Sequence, residues 1–330
     1  MPKVSVIVPN YNHGHFLRQR LDSVLGQTFQ DFEVILLDDC STDESRSIIS
    51  EYANDSRIRT EFNEVNSGST FKQWNKGVRQ ARGEYVWIAE SDDYADRRLL
   101  ERLVARLDAE PGAVLCYCRS RRVSGGGEIR GFLDSSLADL DAQRWTTDYS
   151  ADGREECRNY LVRRNTVQGA SSVVFRREVY QRVGGADESL VLCGDWKIWA
   201  AMALTGGTIA HVEEPLNYHR FHASSVTEKS VKDGVWAAEA LQVVPWIMQR
   251  ATPEQTTLED ARRELSGFWI AAAINRRIPA GFRWKILKDA AAVDPHALRR
   301  LFRALPTALR MTLARRWRSW RTASPAKSDA

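Results

Sequence analysis

The chain has 330 residues, of which 43% are hydrophobic and 27% are charged, as in a soluble globular protein with one large domain or two smaller ones. No apolar run approaches the roughly 20 residues of a membrane-spanning helix, and the N-terminus lacks the regions of a signal peptide, so we expect a cytoplasmic protein. Five irregularly spaced cysteines exclude a disulfide framework, and we interpret Cys116 and Cys118 as buried thiols rather than metal ligands.

The first hundred residues alternate between apolar runs typical of strands and longer segments with helical spacing. This alternation predicts a parallel, doubly wound sheet. Helix-capping chemistry at Thr42-Asp43-Glu44-Ser45 precedes Ile48 and Ile49. The predicted elements are strands at 4–8, 33–37, 58–62 and 84–89, and helices at 15–25, 71–81 and 96–107.

The pattern becomes irregular near Ser120. The stretch from there to Asp152 is predicted to form long loops, which often act as a lid or an acceptor region. A strand at 171–175, helices from about 178 and 195, and a strand pair at 208–212 and 216–221 follow. Beyond about 228 the pattern is helical, interrupted by Pro253, Pro279, Pro295 and Pro306. We therefore predict two regions, 1–227 and 228–330.

Basic residues are concentrated at the C-terminus. The formal net charge of the chain is +4, yet residues 296–330 contain nine basic residues and one acidic residue. Apolar residues recur there at steps of three or four, among them Trp317 and Trp320, which suits a basic amphipathic helix on an anionic membrane surface. The alternative is a helix that packs on the rest of the chain or on another subunit. Nucleic-acid binding is not expected, because no recognition motif accompanies the charge.

Two acidic clusters follow two of the predicted strands. Asp38-Asp39-Cys40-Ser41-Thr42-Asp43 follows the strand at 33–37, and Glu90-Ser91-Asp92-Asp93 follows the strand at 84–89. Carboxylates resist desolvation and repel one another, so such clusters usually need a cation or hydrogen-bond donors. Ligands of open α/β sheets bind beyond the carboxyl ends of the strands. The clusters therefore indicate a divalent metal ion with a phosphorylated ligand, and a solvated acidic turn is the alternative.

The segment Pro9-Asn10-Tyr11-Asn12 follows the first strand, where a mononucleotide-binding fold places its first loop. Tyr11 could stack on a base, and a plain turn with a surface tyrosine is the alternative. Asp39, at the neighbouring strand end, could accept the ring N–H of uracil or thymine, although such an aspartate is often a helix cap.

Eight short motifs, each unspecific alone, occur in an order that resembles the inverting glycosyltransferases of family 2. The resemblance covers about residues 3–227 and implies the GT-A fold, an α/β doubly wound mixed sheet, here with a helical C-terminal extension. The motifs are 6–12, 38–43, Asn66-Ser67-Gly68, 75–77 with 81–85, 90–93, 184–188, Gly194-Asp195-Trp196, and 218–222 with Ser225-Val226-Thr227.

The resemblance implies which residues bind a nucleotide-diphospho-sugar donor. The nucleoside would be held by Pro9, Tyr11, Asp39, Asn66 and Gly68. Glu90-Ser91-Asp92 corresponds to the acid-any-acid metal motif of the family, with Glu90 in place of the commoner aspartate. Asp92 is thus the expected ligand of Mg²⁺ or Mn²⁺. Glu90, Ser91 and Asp93 are expected to support it or to hold donor hydroxyls.

The last motif supplies two further candidates. His222 could complete the metal shell or contact the diphosphate, and Arg220 could bind phosphate. The two residues alternate in one strand-like run and could share a face. The alternative for a lone histidine is a structural role.

Asp195 matches the position of the catalytic base in the family. An inverting transfer needs one carboxylate to take the proton of the acceptor hydroxyl. The preceding residue is often acidic in relatives, whereas this chain has Gly194. A helix N-cap is the alternative for Asp195, and Asp187 is the second candidate for the base.

The sequence therefore predicts an inverting glycosyltransferase that uses a UDP- or dTDP-sugar. By resemblance, its acceptor is a hydroxyl of a glycan on a polyprenyl diphosphate, as in O-antigen or capsule assembly. The alternatives are a nucleotidyltransferase, an inactive nucleotide-sugar-binding relative and a signalling receiver module. A dehydrogenase is disfavoured because no G-x-G-x-x-G follows a strand.

Overall fold

A computed structural model describes residues 1–222, 225 and 230–304. Within them lie ten strands: β1 Val4–Asn10, β2 Phe32–Asp38, β3 Ile58–Phe62, β4 Tyr85–Ile88, β5 Tyr94–Ala95, β6 Ala113–Ser124, β7 Ile129–Phe132, β8 Tyr149–Asp152, β9 Val173–Arg176 and β10 Thr208–Phe221. The helices whose bounds are fully described are α1 Gly14–Leu25, α2 Ser45–Glu51, α3 Thr70–Gln80, α4 Leu99–Ala109, α5 Gly153–Glu156, α6 Arg177–Arg182, α7 Gly194–Ala203, α8 Val235–Ala251, α9 Gln255–Ile274 and α10 Ala280–Val293.

The strands form one mixed sheet in the order β3-β2-β1-β4-β9-β6-β10-β5, with β7 on β6 and β8 on β10. β1, β2, β3 and β4 pair in parallel, and β6 pairs in parallel with β10. β9 lies antiparallel between β4 and β6. β4, β6 and β10 therefore point the same way, and the residues that follow β1, β2, β4 and β10 all leave the sheet at one edge.

Apolar side chains cover both faces of the sheet. Alternate residues of β1 enter different clusters, since Ile7 packs with α3 and α7 whereas Val6 and Val8 pack with α1 and α4. Every residue of β1 and β2 is accordingly buried. This explains why these strands are continuous apolar runs rather than alternating ones.

The C-terminal helices share the core of the sheet region. Residues of α8, including Leu241 and Val244, belong to the same buried cluster as Trp196 and Trp199 of α7. The division at 227 and 228 stays a prediction, and residues on both sides of it contribute to one apolar core.

Three predicted elements differ from the structure. The strand pair predicted at 208–212 and 216–221 is one strand, β10, whose register against β6 shifts around Pro215 because a proline has no N–H to donate. The loops predicted between Ser120 and Asp152 contain the end of β6, the strands β7 and β8 and two single helical turns. The helix predicted from 96 begins at Leu99, after the short strand β5.

Three other sequence predictions concern the cysteines, membrane-spanning helices and the basic tail. Cys116 and Cys118 are buried in β6, and burial raises the pKa of the Cys118 thiol to about 12. Among the described helices, none combines the length and the apolar character that crossing a membrane would require. Most of the predicted basic tail, from 305 onward, lies outside the described residues, as do Val226 and Thr227.

Candidate active site

The acidic turn, Glu90-Ser91-Asp92-Asp93, follows β4 at the functional edge of the sheet. Two buried arginines hold its backbone. The Nε of Arg20 donates to the Glu90 carbonyl at 2.8 Å, and the Nε of Arg220 donates to the Asp92 carbonyl at 2.8 Å. Both arginines are almost inaccessible to solvent. Their positive charges offset part of the negative charge of the carboxylates in the turn.

Four protein acceptors bind the guanidinium of Arg220, which has five N–H groups. Besides Asp92, its guanidinium donates to the carbonyls of Ser124 and Gly125 and to Oε1 of Gln19. It also stacks over the ring of Phe16, 4.6 Å from the ring centroid. The Arg220 side chain therefore packs against the acidic turn and is held there by protein contacts.

Asp92, His222 and His13 form a compact group of possible metal ligands. The Nε2 of His222 lies 3.0 Å from Oδ2 of Asp92. One ligand atom from each of the three residues lies within 4.8 Å of the other two. Burial opposes ionisation of Asp92, but the His222 hydrogen bond and the imidazoles of His13 and His219 outweigh it and lower its pKa to about 2. An ionised carboxylate and two imidazoles suit a divalent cation.

Glu90 faces a different neighbour. Its Oε1 accepts the indole N–H of Trp74 at 2.7 Å. Burial raises the pKa of Glu90 to about 8, and the nearby charge of Asp92 adds to this effect. Glu90 therefore points away from the metal group toward α3, the helix that carries Trp74.

Ser91 and Asp93 are occupied by protein partners. The Ser91 hydroxyl lies 2.9 Å from Nδ1 of His13 and so orients this imidazole. Asp93 accepts the backbone N–H of Arg220 at 2.8 Å and lies 3.3 Å from Nδ1 of His219. Its carboxylate raises the pKa of His219 against the opposing effect of burial. Asp93 thus ties the acidic turn to β10.

Asp39 directly follows β2, and several hydrogen-bond donors surround its carboxylate. It accepts hydrogen bonds from the side chain of Asn63 at 2.6 Å, from the backbone and hydroxyl of Ser67 at 2.8 and 2.6 Å, and from Gln73 at 3.0 Å. The side chain is buried. These donors fix both carboxylate oxygens.

The other residues predicted to bind the nucleoside lie at the end of β1 and in the loop between β3 and α3. Pro9 lies in β1 and Tyr11 follows it, 44% exposed. Asn66 accepts the backbone N–H of Gly68 at 2.6 Å, and Gly68 has a φ of +71° with open space where a Cβ would stand. This left-handed turn favours glycine and delivers Ser67 to Asp39.

Asp195 lies in the first turn of α7. Its Oδ2 accepts the side-chain N–H of Asn165 at 2.9 Å, and its Oδ1 accepts the backbone N–H of Trp196 at 2.6 Å. Burial raises the pKa of Asp195 to about 6 despite these hydrogen bonds. The residue at the N-cap position of α7 is Cys193, not Asp195. Asp195 is therefore an oriented carboxylate that can exchange a proton near neutral pH.

Asp187 has a different environment. Lys197 donates to its Oδ2 at 2.5 Å, and Ser189 donates to its Oδ1. Burial works against ionisation, yet these donors lower the pKa of Asp187 to about 2. A carboxylate so strongly stabilised in its ionised form is a weaker base than Asp195.

The helix α3 joins these separate groups. Its first two turns contribute Gln73 to Asp39 and Trp74 to Glu90. Phe71 packs against Gly194, where an added Cβ would lie 2.5 Å from the ring. The rings of Phe71 and Trp74 are 5.1 Å apart. A short chain of contacts thus connects the nucleoside candidate, the acidic turn and the base candidate.

Several contributors were not found from the sequence. Asn165 was not predicted as a partner of Asp195, because 30 positions separate the two residues in the sequence. Gln73 and His13 carried no signal, because a polar residue in a helix or a loop is ordinary; the one available hint was that His13 follows the Tyr11 motif. Arg20 has the spacing of a core-facing residue in α1, yet its charge argued for the surface.

A family model described as glycosyl transferase family 2 matches residues 5–184. This is more than half of the chain, which therefore belongs to that family. Poly(ribitol-phosphate) beta-N-acetylglucosaminyltransferase TarS of Staphylococcus aureus is 31% identical over 169 residues, which are 51% of this chain and 29% of TarS. The putative teichuronic acid biosynthesis glycosyltransferase TuaG of Bacillus subtilis is 40% identical over 102 residues, 31% of this chain and 40% of TuaG. The matches thus span less than half the length of either relative.

Solved structures show the same fold. Residues 1–349 of S. aureus TarS in complex with UDP-GlcNAc superpose with a TM-score of 0.69 at 18% identity, over 94% of this chain and 92% of that one. The mannosyltransferase PcManGT of Pyrobaculum calidifontis, in complex with GDP-Man and Mn²⁺, gives a TM-score of 0.57 at 18% identity, over 98% and 84%. The predicted GT-A fold class is confirmed.

Proposed function

We propose that the chain is a metal-dependent, inverting glycosyltransferase that moves a sugar from a UDP- or dTDP-linked donor to a hydroxyl acceptor. The observation that carries the proposal is the convergence on α3 of Asp39, the acidic turn and the segment holding Asp195. Family membership supports transfer chemistry, and the donors of the structural neighbours support a nucleotide-sugar.

The nucleoside would bind beyond β1 and β2. Tyr11 is exposed and could stack on a base, and Pro9 would line the same pocket. Asp39, already fixed by three side chains, would accept the ring N–H of uracil or thymine. Asn66 and Gly68 would form the wall opposite Tyr11.

The metal would be held by Asp92, His222 and His13. Two imidazoles beside one carboxylate favour Mn²⁺ over Mg²⁺, which prefers oxygen ligands. A bound cation neutralises the charge that develops on the departing nucleoside diphosphate. Arg220, Ser91 and Asp93 would support this group from beneath rather than contact the donor. Glu90, which faces Trp74, would reach the donor sugar.

Asp195 would act as the base. The acceptor oxygen attacks the anomeric carbon while the bond from that carbon to the diphosphate oxygen breaks. The hydroxyl proton passes to the Asp195 carboxylate, which Asn165 keeps oriented at 2.9 Å. A pKa near 6 keeps Asp195 mostly ionised at neutral pH and still basic enough to accept the proton.

The acceptor would be a growing cell-surface polysaccharide, and the activities for which TarS and TuaG are named support this. A polyprenyl-diphosphate carrier would place the reaction at the cytoplasmic face of a membrane. In the described part of the helical region, Trp284 is 60% exposed on α10, one turn from Lys288, whose Nζ lies 5.8 Å from the indole centroid. A tryptophan beside lysines suits an anionic interface.

The decisive experiment measures UDP and dTDP binding by calorimetry with and without Mn²⁺, followed by donor hydrolysis over a panel of nucleotide-sugars. We expect metal-dependent binding of one nucleotide and turnover of its sugar conjugates. Binding without turnover of any donor would favour an inactive nucleotide-sugar-binding relative. Absent or metal-independent nucleotide binding would contradict the proposal.

A further inference from the structure

Glu239 is a buried carboxylate in the C-terminal helical region. It lies on α8 and is 5% exposed, among the apolar residues Ala238, Ala240 and Leu241. A carboxylate in such surroundings is costly unless donors satisfy it. The hydrogen-bond donors around Glu239 therefore indicate which role this carboxylate has.

Three consecutive backbone N–H groups supply those partners. Val191 donates to Oε1 of Glu239 at 2.6 Å, and Leu192 and Cys193 donate to Oε2 at 2.9 and 2.8 Å. These residues directly precede Gly194, the first residue of α7, and no side chain caps that helix locally. Glu239 thus anchors, from another element, the three residues that lead into α7, including Cys193 at its N-cap position.

The segment that Glu239 holds leads straight to Asp195. Cys193 is two residues before the proposed base, and Gly194 between them is wedged against the ring of Phe71. The negative charge of Glu239 also contributes, after burial, to the raised pKa of Asp195. Glu239 therefore acts on both the position and the basicity of this carboxylate.

We propose that Glu239 is a positioning residue through which the helical region holds Asp195 in its reactive place. This rests on the proposed function, since it presumes that Asp195 is the base. It makes α8 a part of the catalytic unit, although α8 lies beyond the segment that matches the family model.

The test compares Glu239→Gln with Asp294→Asn. Asp294 is a matched control because it is a buried carboxylate of the same region, accepting the backbone N–H of His296 and the guanidinium of Arg300. For each variant, kcat, donor KM, the pH profile of kcat and the melting temperature are measured. Misplacing a reacting group by about 1 Å costs on the order of 100-fold, so we expect kcat of Glu239→Gln to fall about 10- to 100-fold. Donor KM should stay within about twofold, because Glu239 touches no donor-binding candidate.

The pH profile separates positioning from mere stability. Loss of the Glu239 charge should move the acidic limb of the profile to lower pH, and Glu239→Asp should return the limb to its wild-type position with kcat still reduced. Asp294→Asn should lower the melting temperature and leave kcat per folded molecule unchanged. If Glu239→Gln does not fold, the test depends on Glu239→Asp alone. A kcat of Glu239→Asp equal to that of the wild type would then overturn the inference.

Unchanged kcat and an unmoved limb in Glu239→Gln overturn the inference as well. If Asp195→Asn is inactive in the same series, the proposed function survives that result. A wild type that turns over no donor overturns the proposed function, and this inference with it.

Discussion

Asp195 combines a raised pKa with fixed hydrogen bonds, and this makes its role testable by kinetics. We expect Asp195→Asn to lose about 10²- to 10⁴-fold in kcat, the usual contribution of a general base, while donor affinity measured by calorimetry is retained. Because only the ionised carboxylate accepts a proton, wild-type kcat should fall as the pH drops through about 6. Asp187→Asn is the matched control and should keep turnover. Normal turnover in Asp195→Asn would exclude it as the base.

The Asp195 carboxylate should destabilise the folded protein when it is ionised. The folded pKa of about 6 lies above the ordinary value of 3.8, so folding favours the protonated form. Its favourable contribution is full below about pH 4 and is lost as the pH rises through about 6. Asp195→Asn, which cannot ionise, should therefore raise the free energy of unfolding at pH 8 by roughly 1–3 kcal/mol. Denaturant titrations at pH 8 and pH 4 check this, and an equal gain at both would contradict it.

His13 offers a residue-level test of the metal site. We expect His13→Asn to weaken Mn²⁺ binding without nucleotide by about tenfold or more, because it removes one of three protein ligands. His15 is exposed on α1, two residues away, and His15→Asn should bind Mn²⁺ like the wild type. Manganese titrations followed by electron paramagnetic resonance measure this directly. Equal affinities in the two variants would remove His13 from the site.

Individual site residues differed in how visible they were in the sequence. Asp39 and Asp92 could be proposed because acids at strand ends are unusual, and Asp195 could be proposed because it matches the position of the base in the family; all three roles stay predictions. His13 and Asn165 could not, because their roles depend on which distant side chain they meet. Arg220 was expected at phosphate, but the sequence could not reveal that the carbonyls of Ser124 and Gly125 lie within its reach.

At the scale of elements, α3 forms a wall that contacts Asp39, Glu90 of the acidic turn and Gly194 beside the base candidate. Gly194 packs against this wall, because a Cβ there would lie 2.5 Å from the ring of Phe71, and that ring is itself buried beside Trp74. The absence of an acidic residue at position 194, unexplained from the sequence, thus has a steric reason. The ring occupies the space that a longer side chain would need.

Gly194→Ala tests this wall. Overpacking costs about 1–3 kcal/mol in a well-packed core, so we expect a lower free energy of unfolding. The added methyl group would displace Phe71 and the start of α7, and this displacement would move Asp195 and Trp74, so we also expect a reduced kcat. Gly267→Ala in α9 is the control, because that glycine is exposed with nothing near its added Cβ. It should gain about 0.5–1 kcal/mol through helix propensity. Wild-type kcat in Gly194→Ala would show that the wall tolerates displacement.

The alternation of strands and helices in the first hundred residues was predictable because β1, β2 and β4 are buried along their whole length and read as largely apolar runs. Element boundaries in the second half were not. β10 looked like two strands because Pro215 and the acids Glu213 and Glu214 interrupt its apolar pattern, whereas pairing with β6 continues across the bulge. The strands β7 and β8 are short edge additions, stabilised by pairing rather than by their own composition.

On the scale of the whole molecule, acidic and basic residues are concentrated in different parts of the chain. The site edge collects carboxylates, and the segment 296–330 collects nine bases. The first residues of that segment are tied to the protein, since Arg300 bonds to Asp294 and Glu259 and Ala297 is buried. A truncation at 296 would therefore disturb packing as well as charge, and a test of the tail should begin at 305.

Deletion of residues 305–330 should release the protein from anionic vesicles. It removes six bases against one acid together with Trp317 and Trp320, and each base near an anionic surface contributes about 1 kcal/mol. Sedimentation with phosphatidylglycerol vesicles should show binding of the full chain that weakens with salt, and little binding of the truncated chain. Replacing the arginines at 310, 315, 316, 318 and 321 by glutamine keeps the length and should give the same loss. Because none of the residues proposed for the site belongs to 305–330, hydrolysis of a free nucleotide-sugar should persist in both variants. Undiminished vesicle binding by the truncated chain would instead assign the contact to the surface around Trp284 or exclude the tail as an anchor.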